Sequence, residues 1–187
     1  MPRPDLSRFY PLSIAVLTVS DSRSSANDSS GDLLCQLLQT AGHQLAERIV
    51  LPNNKYHIRA VLSQWIASET IQVVLLNGGT GFAAGNCTVE ALTPLMDTQV
   101  PGFGELFRQL SFNELGSAAL QSGALAGLAN GTLLFAMPGS GGACTVAMQQ
   151  LILPQLDSKT GPCNFVAHVK GNFVAHVKNN PINNCGA

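Results

Sequence analysis

The stretch NGGTGFAAGNCTVEA, residues 77–91, combines the parts of an anion site. Its glycines allow a sharp turn and a close backbone approach. Successive free N–H groups in such a turn form a concave nest for negative charge. A helix opening directly behind it adds its positive N-terminal end. Gly78, Gly79, Thr80 and Gly81 are therefore candidate cradle residues for a phosphate. Thr88 is a candidate helix N-cap, with Glu90 in the first turn. A tight strand–helix turn without a ligand would use the same glycines. Neither GxGxxG nor GxxxxGK[ST] is present, and no lysine stands nearby to neutralise a γ-phosphate.

Two further segments share this construction. Thr18-Val19-Ser20-Asp21 brings a hydroxyl and a carboxylate to the end of an apolar run. Pro138-Gly139-Ser140-Gly141-Gly142 follows another apolar run and precedes a helical pattern. Ser20, Asp21, Pro138, Gly139 and Ser140 thus join the candidate site. Three such ends side by side suit a polar, phosphorylated small molecule. The first loop has one chemical gap. Its middle offers Asn86, an amide, where phosphoryl chemistry would use an acid to hold a cation.

Regular elements must position these loops. Residues 12–20 (LSIAVLTVS), 45–51, 71–76 (IQVVLL) and 132–137 (TLLFAM) read as buried strands. Residues 33–41 repeat apolar side chains at helical spacing, with Ser29 or Ser30 as cap and Gly42 as stop. Residues 56–67 carry Ile58, Val61, Leu62, Trp65 and Ile66 on one helical face, after the breaker Pro52-Asn53-Asn54. Helices are also expected from about 89 to 96, 104 to 110 and 143 to 153. The Ala- and Gly-rich stretch 117–128 is ambiguous between helix and strand. Alternating strands and helices predict an α/β fold: a three-layer α/β/α sandwich with a mostly parallel, mixed central sheet. Ligands in such folds sit off the carboxyl ends of the strands, where the three loops fall.

Composition narrows the function. Only 11% of residues are charged and the net charge is −1, too little for a basic nucleic-acid stripe. No apolar run approaches the roughly 20 residues that span a membrane. The N-terminus lacks a signal-peptide pattern, so the expected location is cytoplasmic. Five cysteines without CxxC spacing suggest neither a disulfide framework nor a zinc site. So few charges on a 45% hydrophobic chain hint at a surface covered by other copies of itself. The heptapeptide NFVAHVK occurs at 164–170 and again at 172–178. It suggests either a paired site of His168 and His176 or a short duplication in a tail. The expected organisation is an extension at 1–11, a domain at 12–168 and a tail at 169–187.

Taken in order, LTVSDSR (17–23), DSSG (28–31), GGTG (78–81), TVEA (88–91), PGFGELFR (101–108) and AMPGS (136–140) resemble the MoaB/Mog family of molybdenum cofactor biosynthesis proteins. The resemblance runs from about 12 to 168. It implies molybdopterin as ligand or substrate and assembly as a trimer or hexamer. Active members transfer AMP from Mg²⁺-ATP to the terminal phosphate of molybdopterin and hand the product to another cofactor-assembly protein. The family acid after GGTG falls on Asn86, and the proline of its TPEA motif falls on Val89. A second family acid falls on or beside Asn53. A family arginine falls on Gly123, and a basic residue after PGS falls on Gly142. Asp21, Asp28, Glu90 and the more distant Glu105 remain as candidate metal-binding carboxylates. Three functions stay open: an adenylyltransferase using Asn86, Asp21 and Glu90, a molybdopterin carrier without transfer, and an oligomeric scaffold.

Overall fold

The apolar runs at 12–20, 71–76 and 132–137 form the centre of one sheet in the computed structural model, which describes residues 8–171. In chain order the strands are β1 (Ser13–Val19), β2 (Gln44–Leu51), β3 (Val73–Asn77), β4 (Thr98–Gln99), β5 (Leu125–Ala129) and β6 (Thr132–Met137). They lie in the order β2-β1-β3-β6-β5-β4. β2, β1, β3 and β6 are mutually parallel, and β5 runs antiparallel to both β6 and β4. The sheet is therefore mixed, as expected. β5 and β6 are joined at Asn130-Gly131, both at positive φ (47° and 70°), the backbone that a tight hairpin requires.

Side chains alternate across the sheet and define two cores. One face places Ile14, Val16, Val73, Leu75 and Phe135 against Leu34 and Leu38 of α1 (Ser29–Thr40) and Phe103 and Phe107 of α4 (Pro101–Leu115). The other face places Leu17, Val74, Leu76 and Leu134 against Ile58, Leu62 and Trp65 of α2 (Lys55–Ala67) and Leu92 of α3 (Thr88–Leu92). Burying each such side chain contributes about 1.5–3 kcal/mol. The helical segment after β6 runs from α5 (Gly141–Val146) through a π-turn (Ala147–Ile152) into α6 (Leu153–Leu156). Among the described residues no helix is long and apolar enough to cross a membrane.

Several local expectations are corrected. The cap of α1 is Asp28, whose carboxylate accepts from the Gly31 N–H at 3.0 Å; Ser29 and Ser30 lie inside the helix. Thr88 is the first residue of α3 rather than its cap, and its hydroxyl donates to the Gly78 carbonyl at 2.8 Å. α4 begins at Pro101 and spans two further turns beyond 104–110, because proline is preorganised for the first helical position. The ambiguous stretch 117–128 divides into a 3₁₀ segment (Gly116–Gln121) and the start of β5.

The first NFVAHVK copy is docked. Val166 and Val169 are buried. The Lys170 N–H donates to Gly131 O at 2.9 Å and its Nζ to Ile66 O at 2.8 Å. The second copy, and with it His176, lies outside the described residues.

Candidate phosphate-binding site

β3 ends at Asn77 and the chain turns at once through Gly78 and Gly79, at φ +90° and +63°. Both positions need glycine twice over. A Cβ at 78 would strike the Val19 carbonyl, and one at 79 would strike the Thr88 hydroxyl and lie 2.6 Å from Asn53 Oδ1. The turn is held by Gly78 N–H to Met137 O and Thr88 N–H to Gly79 O, each 3.0 Å. Among the described residues, the N–H groups of Gly79, Thr80 and Gly81 donate to no backbone carbonyl. They remain available to an anion.

Two cavities flank this loop, each of 420 Å³. One lies over Thr18, Ser20, Ser22, Arg23, Gly78, Gly139 and Ser140. It brings together the three strand-end loops, as expected for Ser20, Gly139 and Ser140. Ser140 caps α5, accepting from the Ala143 N–H at 3.3 Å. Pro138 contributes its carbonyl, which accepts from the Cys144 thiol at 3.5 Å. The other cavity is lined by Thr80, Gly81, Phe82, Asn86, Glu90, Arg108 and the 123–125 segment.

The carboxylates are already engaged. Asp21 accepts from the Asn53 backbone N–H at 2.8 Å and from Asn53 Nδ2 at 2.9 Å. Those two bonds hold the Asp21 carboxyl below the usual carboxylate range. Glu90 pairs with Lys55 Nζ at 2.5 Å, and that bond likewise lowers its pKa. Asp28 is fully buried rather than open to a metal. Burial pushes its pKa up, but hydrogen bonds from Thr18, Arg48 and Gly31 prevail and hold it low. Glu105 is exposed on α4 and lines neither cavity.

This donor set does not fit Mg²⁺. Hard divalent cations take several oxygens, carboxylates above all. Asn53 and Asn86 offer amides rather than carboxylates, and the Asn53 amide nitrogen occupies one Asp21 oxygen. Among the described residues no group of three or more His, Cys, Asp and Glu can hold a metal ion.

Arg108 and Gly123 also line the second cavity, although neither stands among the candidate site residues of the sequence. Arg108 sits within PGFGELFR, where its signal is hidden because the run reads as ordinary amphipathic helix. Gly123 is packed against the loop: a Cβ there would collide with the Thr80 carbonyl oxygen. Gly142, by contrast, faces open space.

Fold and site together define an α/β protein that presents a glycine-built turn with free N–H groups at the carboxyl ends of parallel strands. The family described as "Probable molybdopterin binding domain" matches residues 15–158. Molybdenum cofactor biosynthesis protein B of Escherichia coli K12 is 52% identical over 164 residues, which cover 88% of this chain and 96% of that one. Its counterpart in Bacillus subtilis is 44% identical over 142 residues, covering 75% and 84%. A crystal structure of a molybdenum cofactor biosynthesis protein B superposes with TM-score 0.76 at 40% identity, covering 79% of this chain and 92% of the other. The tungsten cofactor synthesizing protein MoaB of Pyrococcus furiosus superposes with TM-score 0.70 at 30% identity, covering 75% and 90%. The chain belongs to this molybdopterin-binding family of cofactor biosynthesis proteins.

Proposed function

We propose that the chain binds molybdopterin through its terminal phosphate, held by the N–H groups of Gly79, Thr80 and Gly81 with Gly78 shaping the turn, and carries it without adenylylating it. The observation behind this reading is the amide of Asn53 closed on Asp21. Together with Asn86, it leaves the loop without the free carboxylates that cation-assisted phosphoryl transfer uses. Ser20, Pro138, Gly139 and Ser140 then line the pocket around the rest of the ligand. Asn86 stands at the reacting position without an acid's charge. Glu90, bound to Lys55, orders the start of α3.

The carrier works in the cytoplasm as a homo-oligomer, a trimer or hexamer, and passes its ligand to other cofactor-assembly proteins. Exposed Leu106, Phe112, Leu115 and Leu120 on and just after α4 support self-association. ATP-dependent adenylyl transfer with Mg²⁺ is the second reading, favoured by the Asp21 carboxylate, which follows the cavity residue Ser20 and is held low in pKa by Asn53.

Purified protein with Mg²⁺, labelled ATP and molybdopterin, run beside Asn86→Asp, separates the two. Retained pterin without adenylylated product supports the carrier. Product from the unmodified protein overturns it in favour of the enzyme. Failure to retain molybdopterin at all overturns both.

A further inference from the structure

The cavity lined by Thr80 and Gly81 contains two charged side chains, Glu90 and Arg108. Glu90 is neutralised by Lys55 at 2.5 Å. Arg108 has no ion pair or hydrogen bond among the described residues. Its guanidinium is a planar cation with its donors in a fixed fork. The uncompensated charge of the cavity is therefore positive, and it faces a loop whose own N–H groups are free.

The fold also makes room for this side chain. Residue 104, one helical turn before Arg108, is a buried glycine. A Cβ at 104 would lie 3.1 Å from both terminal nitrogens of Arg108 and 2.5 Å from the Ala124 carbonyl oxygen. Gly104 thus opens a slot in which the guanidinium folds back along α4 toward the 123–125 segment. A long side chain held this way loses less freedom on binding than one that swings in solvent. Position 123 cannot supply a cation, because its α-carbon is pressed onto Thr80.

We infer that Arg108 is the phosphoryl-binding cation of this cavity, acting from α4 where position 123 has no room for a side chain. Its ligand class is a phosphate monoester or a polyphosphate, gripped by the planar fork of the guanidinium opposite the N–H groups of the loop. The inference rests on the loop being a phosphate cradle, as proposed above. It adds the residue that gives the cradle its charge.

Calorimetric titration of the full chain with pyrophosphate, with ATP and with molybdopterin tests it, using unmodified protein, Arg108→Gln and Arg108→Lys. Circular dichroism and thermal melts check that each variant is folded. Loss of the guanidinium weakens binding of the phosphoryl ligand by about 10- to 100-fold. Arg108→Lys keeps the charge but not the fork and recovers part of it. Loss confined to pyrophosphate and ATP assigns the cavity to a nucleotide. Loss that includes molybdopterin assigns it to the phosphate of the pterin. Unmodified protein and a folded Arg108→Gln that hold all three ligands equally would sink the assignment. So would molybdopterin binding untouched by Arg108→Gln in a protein that takes neither pyrophosphate nor ATP, although the proposed function would stand. Arg108-dependent pyrophosphate binding without molybdopterin binding would uphold Arg108 and reject the carrier.

Discussion

Asn53 closes on Asp21 with two hydrogen bonds, one from its backbone at 2.8 Å and one from its side-chain amide at 2.9 Å. Thirty-two residues apart in the chain, the two form a neutral-and-anionic clasp at the ends of β1 and β2. Replacing Asn53 by Asp turns the side-chain bond into two facing carboxylates. These cannot both ionise at such a distance without help. The thermal midpoint of Asn53→Asp is expected to fall at pH 7 relative to the unmodified protein and to recover in millimolar Mg²⁺. A melt of Asn53→Asp with the same indifference to Mg²⁺ as the unmodified chain would show that the clasp is not what closes the site to cations.

Asp28 should dominate acid stability. Its carboxylate is buried and takes bonds from Thr18 Oγ1 at 2.7 Å, Gly31 N–H at 3.0 Å and Arg48 at 2.9 Å. Asp28→Ala leaves the Gly31 N–H and one Arg48 nitrogen without their carboxylate, although Arg48 keeps its pair with Asp32, with an expected cost of about 1–3 kcal/mol. The folded pKa lies below the ordinary 3.8. The stabilisation is therefore complete above that value and is lost as pH falls through the folded pKa. Chemical denaturation from pH 6 downward should show an acid-sensitive drop that Asp28→Asn lacks.

His43 supplies a second, milder pH dependence. Burial pushes its pKa below 6.5, and its Nδ1 accepts from the Leu12 N–H at 3.2 Å, which requires an unprotonated nitrogen. The unfolded chain takes up the proton first. Stability is thus full above pH 6.5 and declines as pH falls below it. The slope of unfolding free energy between pH 7 and 5 should flatten in His43→Gln; an unchanged slope would assign it elsewhere.

The described thiols should separate by access. Burial pushes Cys144 up to about 11, and Cys35 is raised in the same way. Cys163 is exposed. Peptide mapping after brief alkylation at pH 8 should find Cys163 modified, while Cys35 and Cys144 react only in denaturant. Early modification of Cys144 would mean that the helix behind Pro138 opens readily.

How much of this could be read beforehand depends on which force fixed each part. β1, β3 and β6 are legible because a strand buried on both faces must be apolar throughout. α2 is legible because Ile58, Leu62 and Trp65 recur on one face. β5 is not, since LAGLA is small enough to suit helix or strand. Its readable signal was the Asn130-Gly131 turn behind it. The cap of α1 falls one residue earlier than Ser29 because Asp28, Ser29 and Ser30 are all good caps and only geometry chooses among them. The glycine loop showed itself because positive φ and crowding leave few alternatives. The Asn53–Asp21 clasp joins residues far apart in sequence, and no local pattern records it. Gly123 looks like a lost arginine in a string of letters; in three dimensions it is a contact.

That contact gives the site a direction in its history. Asn53 and Asn86 can each become a carboxylate by a change that keeps side-chain shape, and Gly142 borders open space that would accept a longer residue. Gly123 cannot follow them, because any side chain there must first push the Thr80 carbonyl away. Asn53, Asn86 and Gly142 can thus each take a charged residue in one mutation, while Gly123 is latched behind the backbone. A lineage descending from this chain can take up acids at 53 and 86 long before it can take an arginine at 123.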